Sequence, residues 1–154
     1  LRHTDGFILH EERTMKILAA VDGSSYTKRM LGYLTAHAEW LVAGHDITVL
    51  TVSAPVPPRA ASALDRETIQ SYYDDEAEKV FKPIRAFFAK QGVTATFVRK
   101  TGHAAEVIGK TAEAGKFDLL MLGSHGHGAL AGMVMGSITT KVLASCRTPA
   151  LLIR

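Results

Sequence analysis

Five short apolar runs, each separated from the next by a helical stretch, constrain this 154-residue chain more than any other feature. Met15 to Val21 reads Met-Lys-Ile-Leu-Ala-Ala-Val and is broken by Asp22-Gly23. Ile47 to Val52, Val93 to Lys100, Asp118 to Gly123 and Ala150 to Ile153 are runs of the same kind. A run that is apolar at nearly every position is what a strand covered on both faces requires, and such strands occur in parallel sheets. Between them, Ser24 or Ser25 can cap a helix reaching about Ala43, on which Met30, Leu34, His37 and Leu41 recur at helical spacing. His37 on that stripe is expected to pack or hydrogen-bond inside the protein. A long helix is expected from Asp65 to Lys90, with Ile69, Tyr73, Val80, Ile84 and Phe87 inward and a kink at Pro83. Ala104 to Ala114 and Ile138 to Cys146 complete the set, while Ser53 to Ala63, with Pro55, Pro57 and Pro58, reads as a loop. Strict β-α alternation builds an α/β fold: a single-domain, open, parallel five-stranded sheet with helices on both faces. If the first half winds as strands 3-2-1 and the second continues as 4-5, the strand order is 3-2-1-4-5, Rossmann-like, with its winding reversal between strands 1 and 4.

The fourth strand leads into the densest motif of the chain. Gly123-x-x-Gly126, nine residues, then Gly136-Ser137 fills a strand-to-helix crossing with small residues whose backbone N–H groups can approach an anion. Gly136 and Ser137 fall at a helix N-terminus, where unpaired N–H groups and the helix dipole favour negative charge. The competing reading is that these glycines only turn the chain. Asp22-Gly23, after strand 1, would lie across the reversal from this loop. Its carboxylate could serve a ribose or amino group, or simply cap the turn.

Composition narrows the options. Hydrophobic residues make up 47% of the chain and charged residues 21%, which suits one domain with a substantial core. No apolar run approaches the roughly 20 residues that span a bilayer, so no membrane partner is expected. The net charge of +3 comes from scattered Lys and Arg, which does not point to nucleic acid. Beyond Asp118 there is no Asp or Glu, while Lys141, Arg147 and Arg154 lie there, so the glycine-loop segment suits a polyanion and lacks a nearby catalytic base. Cys146 is the sole cysteine, consistent with a reducing, cytoplasmic setting. Residues 1–14 show no period and read as an N-terminal extension or an expression remnant before a domain of residues 15–154.

Ile17-Leu-Ala-Ala-Val-Asp-Gly-Ser24, the Gly102 turn, Asp118-Leu-Leu-Met-Leu-Gly-Ser-His-Gly126, Gly136-Ser-Ile-Thr139 and Pro149-Ala-Leu-Leu-Ile together resemble the universal stress protein (UspA-like) family, over essentially all of Met15 to Arg154. The complete glycine loop is similar to that of the ATP-binding branch. The resemblance implies an adenine nucleotide alpha hydrolase-like fold and a regulatory, stress-response role. It implies that Asp22 and Val52 contact adenosine beside Ala20, Val21 and Leu122. Gly123 and Gly126 would border ribose and phosphates with His125 near them, and Gly136, Ser137, Ile138 and Thr139 would cradle the phosphates. The implied ligand is ATP, or AMP or ADP, with Mg²⁺ or Mn²⁺, and the implied assembly is a homodimer through residues 150–153. Ala104 departs from the proline common in relatives.

Rival motifs fail. No Gly-x4-Gly-Lys-Ser/Thr is present, so the chain is not read as a P-loop NTPase. Gly126-His-Gly-Ala-Leu-Ala131 matches a dinucleotide fingerprint but lies after strand 4, with no acid some twenty residues on. His125 and His127 would make a two-ligand, hence weak, metal site. Phosphoryl transfer needs a positioned nucleophile, and none is evident, so at most slow hydrolysis or self-phosphorylation is expected. A dimeric interaction module binding AMP or no nucleotide is the alternative.

Overall fold

β1 (Lys16–Ala20), β2 (Asp46–Ser53), β3 (Ala95–Thr101), β4 (Leu119–Gly123) and β5 (Ala150–Ile153) form one all-parallel sheet in the order β3-β2-β1-β4-β5. The computed structural model describes residues 14–41, 44–128, 132 and 134–154. Residues 1–13, Val42, Ala43, Ala129 to Ala131 and Met133 therefore lie outside the described residues, and with them most of the expected extension and the end of the dinucleotide-like match. Between the strands run α1 (Ser25–Ala36), α2 (Ala38–Leu41), α3 (Pro58–Ala63), α4 (Arg66–Lys90), α5 (Ala104–Ala114) and α6 (Ser137–Ser145).

The apolar strands are explained by two cores, one on each sheet face. Ile17 and Ala19 of β1 pack with Met30 and Leu34 of α1 and with Ala77, Phe81, Ile84 and Phe88 of α4. Leu18, between them in sequence, points the other way, to Ile108 and Ala112 of α5 and Val142 of α6. A central strand thus has no solvent side. The sheet reverses its winding between β1 and β4, and there the chains leaving the two strands diverge onto opposite faces.

Three local expectations are corrected. The first helix breaks at His37, whose backbone leaves the helical region at φ −124°, ψ 28°; its ring packs on Tyr33 with centroids 4.4 Å apart. Residues 58–63 are helical rather than loop, because Pro57 and Pro58 preset the first turn and the alanine-rich Arg-Ala-Ala-Ser-Ala continues it. On α4 the buried stripe is Tyr73, Ala77, Phe81, Ile84 and Phe88, so Ile69, Val80 and Phe87 flank the core rather than fill it. Asp65 caps this helix by accepting the Thr68 N–H at 2.7 Å, and the helix continues through Pro83 to Lys90. The buried Tyr73 hydroxyl accepts the Val56 N–H at 2.7 Å and ties the proline-rich connection to α4. Among the described residues no helix is long and apolar enough to cross a membrane.

Candidate functional site

The site begins where β1 ends. The Val21 N–H makes the last bond to β2, donating to Leu50 O at 2.9 Å. The chain then turns through Asp22 and Gly23, whose φ of +77° favours glycine. Asp22 Oδ1 accepts the Ser24 N–H at 2.9 Å and the Thr27 hydroxyl at 3.3 Å, while Thr27 Oγ1 accepts the N–H groups of Asp22 and Gly23. Asp22 therefore does the work of a turn-capping residue. It also does more: Oδ2 accepts the His127 backbone N–H at 3.0 Å, and the Asp22 carbonyl accepts from His127 Nε2 at 2.8 Å. Partial burial pushes the Asp22 pKa up, but hydrogen bonds from Ser24 and the His127 N–H, with the nearby His127 charge, outweigh it and hold the carboxyl below its ordinary value.

β2 outruns β1. Leu50 faces β1, and the Gly102 N–H donates to Ser53 O at 3.0 Å, so Ser53 faces β3. Strand alternation then directs the N–H and C=O of Val52 to the side that β1 has already left. A donor and an acceptor are thus presented side by side at the end of the sheet.

The opposite wall is the glycine loop. The Gly136 N–H donates to Ser124 O at 2.7 Å, the Ser124 N–H donates to Ile153 O at 2.7 Å, and the Thr139 hydroxyl donates to Gly123 O at 2.8 Å. The loop closes so tightly that a Cβ on Gly123 would stand 2.7 Å from Tyr26 Cβ and 2.8 Å from His125 O. On Gly136 a Cβ would stand 3.1 Å from His125 Cα, and on Gly126 it would overlap Asp22 Oδ2. Close approach within the protein is therefore one use of these glycines, beyond turning the chain. They also deliver Gly136 as the N-cap of α6, whose first N–H groups have no partner within the helix. The N-cap carries no side chain and Thr139 Oγ1 is engaged, which leaves the exposed Ser137 hydroxyl at this helix end. His125 stacks on Tyr26 with centroids 5.1 Å apart and shares a hydrogen bond with Ser124 Oγ at 3.0 Å.

Both walls enclose one cleft. Ala20, Val21, Asp22, Val52, Leu122, Gly123, His125, Gly126, Gly136, Ser137, Ile138 and Thr139, all anticipated from sequence, line it together. Sequence reasoning did not anticipate Tyr26, Thr27 and Met30 of α1, Leu50, Ala104 and Ile108, or Gly128, and it weighed His127 only as a metal ligand or a group acting on phosphate. The helical period placed Met30 in the core, and nothing in the period shows that its stripe reaches the cleft. Leu50, Val52, Ala104, Ile108 and Leu122 make one end apolar, while the glycine loop and α6 make the other end polar. Asp22, His125 and His127 are the titratable groups of the lining, apart from Tyr26, and no Lys or Arg is among the described residues that form it. Nor do the described residues contain three or more His, Cys, Asp or Glu grouped to hold a metal.

A doubly wound α/β domain with its cleft at the winding reversal is the class these features define. Comparison with known proteins is specific: a profile of the universal stress protein family matches residues 14–154. A universal stress protein of Thermus aquaticus is 32% identical over 140 residues, covering 90% of this chain and 97% of its own. Universal stress protein Slr1230 of Synechocystis sp. is 31% identical over 140 residues, 90% of this chain but 42% of its own length. The chain belongs to the universal stress protein family. Solved structures share the fold at lower identity. The hypothetical protein MJ0577 matches at TM-score 0.70 and 22% identity, covering 90% of this chain and 94% of that one. A universal stress protein in complex with cAMP matches at 0.63 and 18%, with 91% and 97% covered. An Arabidopsis thaliana family member with AMP bound matches at 0.64 and 16%, with 90% of each chain covered.

Proposed function

We propose that the cleft binds ATP and that the protein serves a regulatory, stress-response role with at most slow turnover. The observation that carries this reading is the pairing of Val52 with α6 in one cleft. Val52 offers an adjacent donor and acceptor beside an apolar slot, and the α6 N-terminus offers N–H groups with no partner within the helix at the far end. The Val52 N–H can donate to adenine N1 and its carbonyl can accept from the adenine amino group. Asp22 already accepts three hydrogen bonds at its carboxylate, so of about four acceptor directions one is left, enough for a ribose hydroxyl. Phosphates then lie over Gly123 and Gly126, against the N–H groups of Ser137, Ile138 and Thr139. Mg²⁺ or Mn²⁺ fits this site as an ion held mainly by phosphate oxygens, since the cleft supplies a single carboxylate. That family neighbours hold AMP or cAMP supports an adenine ligand.

Two further parts belong to the same proposal. β5 is an edge strand with an open ladder, suited to a homodimer through residues 150–153. The site of action is the cytoplasm. A second reading, in which the ligand is AMP or another monophosphate, is favoured by one observation: no Lys or Arg among the described lining residues meets a polyphosphate.

Guanine tests the base placement. Its N1–H and O6 reverse the adenine pattern, setting donor against donor and acceptor against acceptor at Val52. Two mismatched groups, each worth about 1–3 kcal/mol when left unsatisfied, make GTP at least about 30-fold weaker than ATP in a competition titration. Equal affinities would remove the base from Val52.

A further inference from the structure

We propose that His127 is a positioning residue: it latches the glycine loop to the end of β1 across the cleft and sets the rate at which bound nucleotide leaves. The latch itself is geometric, while its effect on release rests on the nucleotide reading above.

His127 and Asp22 lie 105 residues apart in sequence and meet at two points, backbone N–H to Oδ2 at 3.0 Å and ring Nε2 to the Asp22 carbonyl at 2.8 Å. A carbonyl oxygen only accepts, so Nε2 carries the hydrogen. The two residues belong to opposite walls of the cleft and both line it, so their bonds tie those walls together. Asp22 is a fixed post for this latch. Its other oxygen is held by the Ser24 N–H and the Thr27 hydroxyl at the start of α1. The residue before His127 has been fitted to the same post, because any side chain on Gly126 would strike Asp22 Oδ2. The loop is therefore seated against Asp22 over three consecutive features: the bare Gly126 Cα, the His127 N–H and the His127 ring. A ring serving only to face solvent would not be committed to a backbone carbonyl on the far wall. With Nε2 so committed, the ring also cannot offer that nitrogen to a metal without releasing the loop.

Truncating the ring removes one of the two bonds and leaves the backbone bond in place, so the loop loosens without losing its path. One hydrogen bond of ordinary net strength corresponds to about tenfold in rate. Stopped-flow fluorescence with a methylanthraniloyl derivative of ATP, on the full chain, reads this directly. His127→Ala should raise the dissociation rate about tenfold. His127→Gln, whose side-chain amide can donate to the same carbonyl, should stay within about threefold of the unsubstituted protein. An unchanged dissociation rate in His127→Ala, or a His127→Gln as fast as the alanine variant, overturns the assignment. Amide hydrogen exchange without nucleotide separates the two claims. Exchange at residues 126–128 should speed about tenfold in His127→Ala and be restored in His127→Gln. Exchange that does not respond overturns the latch. A protein that shows this exchange pattern but binds no ATP derivative keeps the latch and loses the nucleotide reading.

Discussion

Gly126→Ala is expected to weaken adenine nucleotide binding by about 10- to 100-fold. Gly126 does not adopt a positive φ, so alanine meets no backbone penalty there, and its effect comes from one new atom. That Cβ falls on Asp22 Oδ2, the oxygen that accepts the His127 N–H. The carboxylate cannot swing away freely, because Ser24 and Thr27 hold its other oxygen. Either Asp22 leaves its partners or the loop backs away from the cleft, and both outcomes would separate the proposed ribose end of the site from its proposed phosphate end. Loss of a hydrogen bond to a charged group costs about 1.5–3 kcal/mol, which sets the affinity range. Overpacking of this kind also lowers stability by about 1–3 kcal/mol. Isothermal titration with ATP and urea unfolding check both. Gly32→Ala is the control: it lies within α1 with nothing within 4 Å of the added Cβ, so it should leave affinity unchanged and leave stability the same or slightly higher. Wild-type affinity in Gly126→Ala would mean that the Asp22 contact is irrelevant to the site.

Asp22→Asn should destabilise the protein by about 1.5–3 kcal/mol at neutral pH and weaken nucleotide binding at least tenfold. Asparagine keeps the shape but exchanges one acceptor oxygen for an NH₂ group. In one orientation that group opposes the His127 N–H, and in the other it opposes the Ser24 N–H. The pH dependence has a definite sign. The folded-state pKa of Asp22 lies below its ordinary 3.8, so ionised Asp22 stabilises the fold above that value, and the contribution disappears as pH falls through the folded pKa. The stability gap between the wild type and Asp22→Asn is therefore full above about pH 5 and closes below pH 4. Urea unfolding of both proteins at a series of pH values measures it. A gap that widens in acid would contradict the assignment of Asp22 as a hydrogen-bonded carboxylate.

The fold was legible because strand burial leaves a strong trace. Leu18 and Ile17 point to different cores, so β1 has no polar position between them, and alternation with helices then allows few topologies. α5 and β5 match their expected ranges, since Gly102-His103 and Pro149 mark their starts plainly. α3 was missed because three prolines outweigh a short alanine-rich run in a sequence reading, although proline is at home in a first helical turn. The α4 stripe slipped by one position toward its C-terminal end. Val80 and Phe81, like Phe87 and Phe88, are adjacent apolar residues, and periodicity alone does not choose between neighbours.

The cleft was legible where backbone dictates it. The glycine loop and Asp22 are strand-end positions whose placement follows from the 3-2-1-4-5 order, whereas Val52 entered only through the family resemblance. What sequence hid was contact between distant side chains. Nothing in a His-Gly-His run shows that the second ring reaches the carbonyl of Asp22, nor that Tyr26 lies against His125. Tyr26 and Thr27 did carry a weaker signal, since the first turn of a helix that follows strand 1 faces the reversal point by construction.

The central claim, that this universal stress protein domain holds ATP between Val52 and the α6 N-terminus, is tested most directly by isothermal titration of the purified chain with ATP, with and without Mg²⁺. The account predicts saturable binding of one ATP per chain at sub-millimolar concentration, with no steady production of ADP over the titration. Absence of binding at millimolar ATP would contradict it.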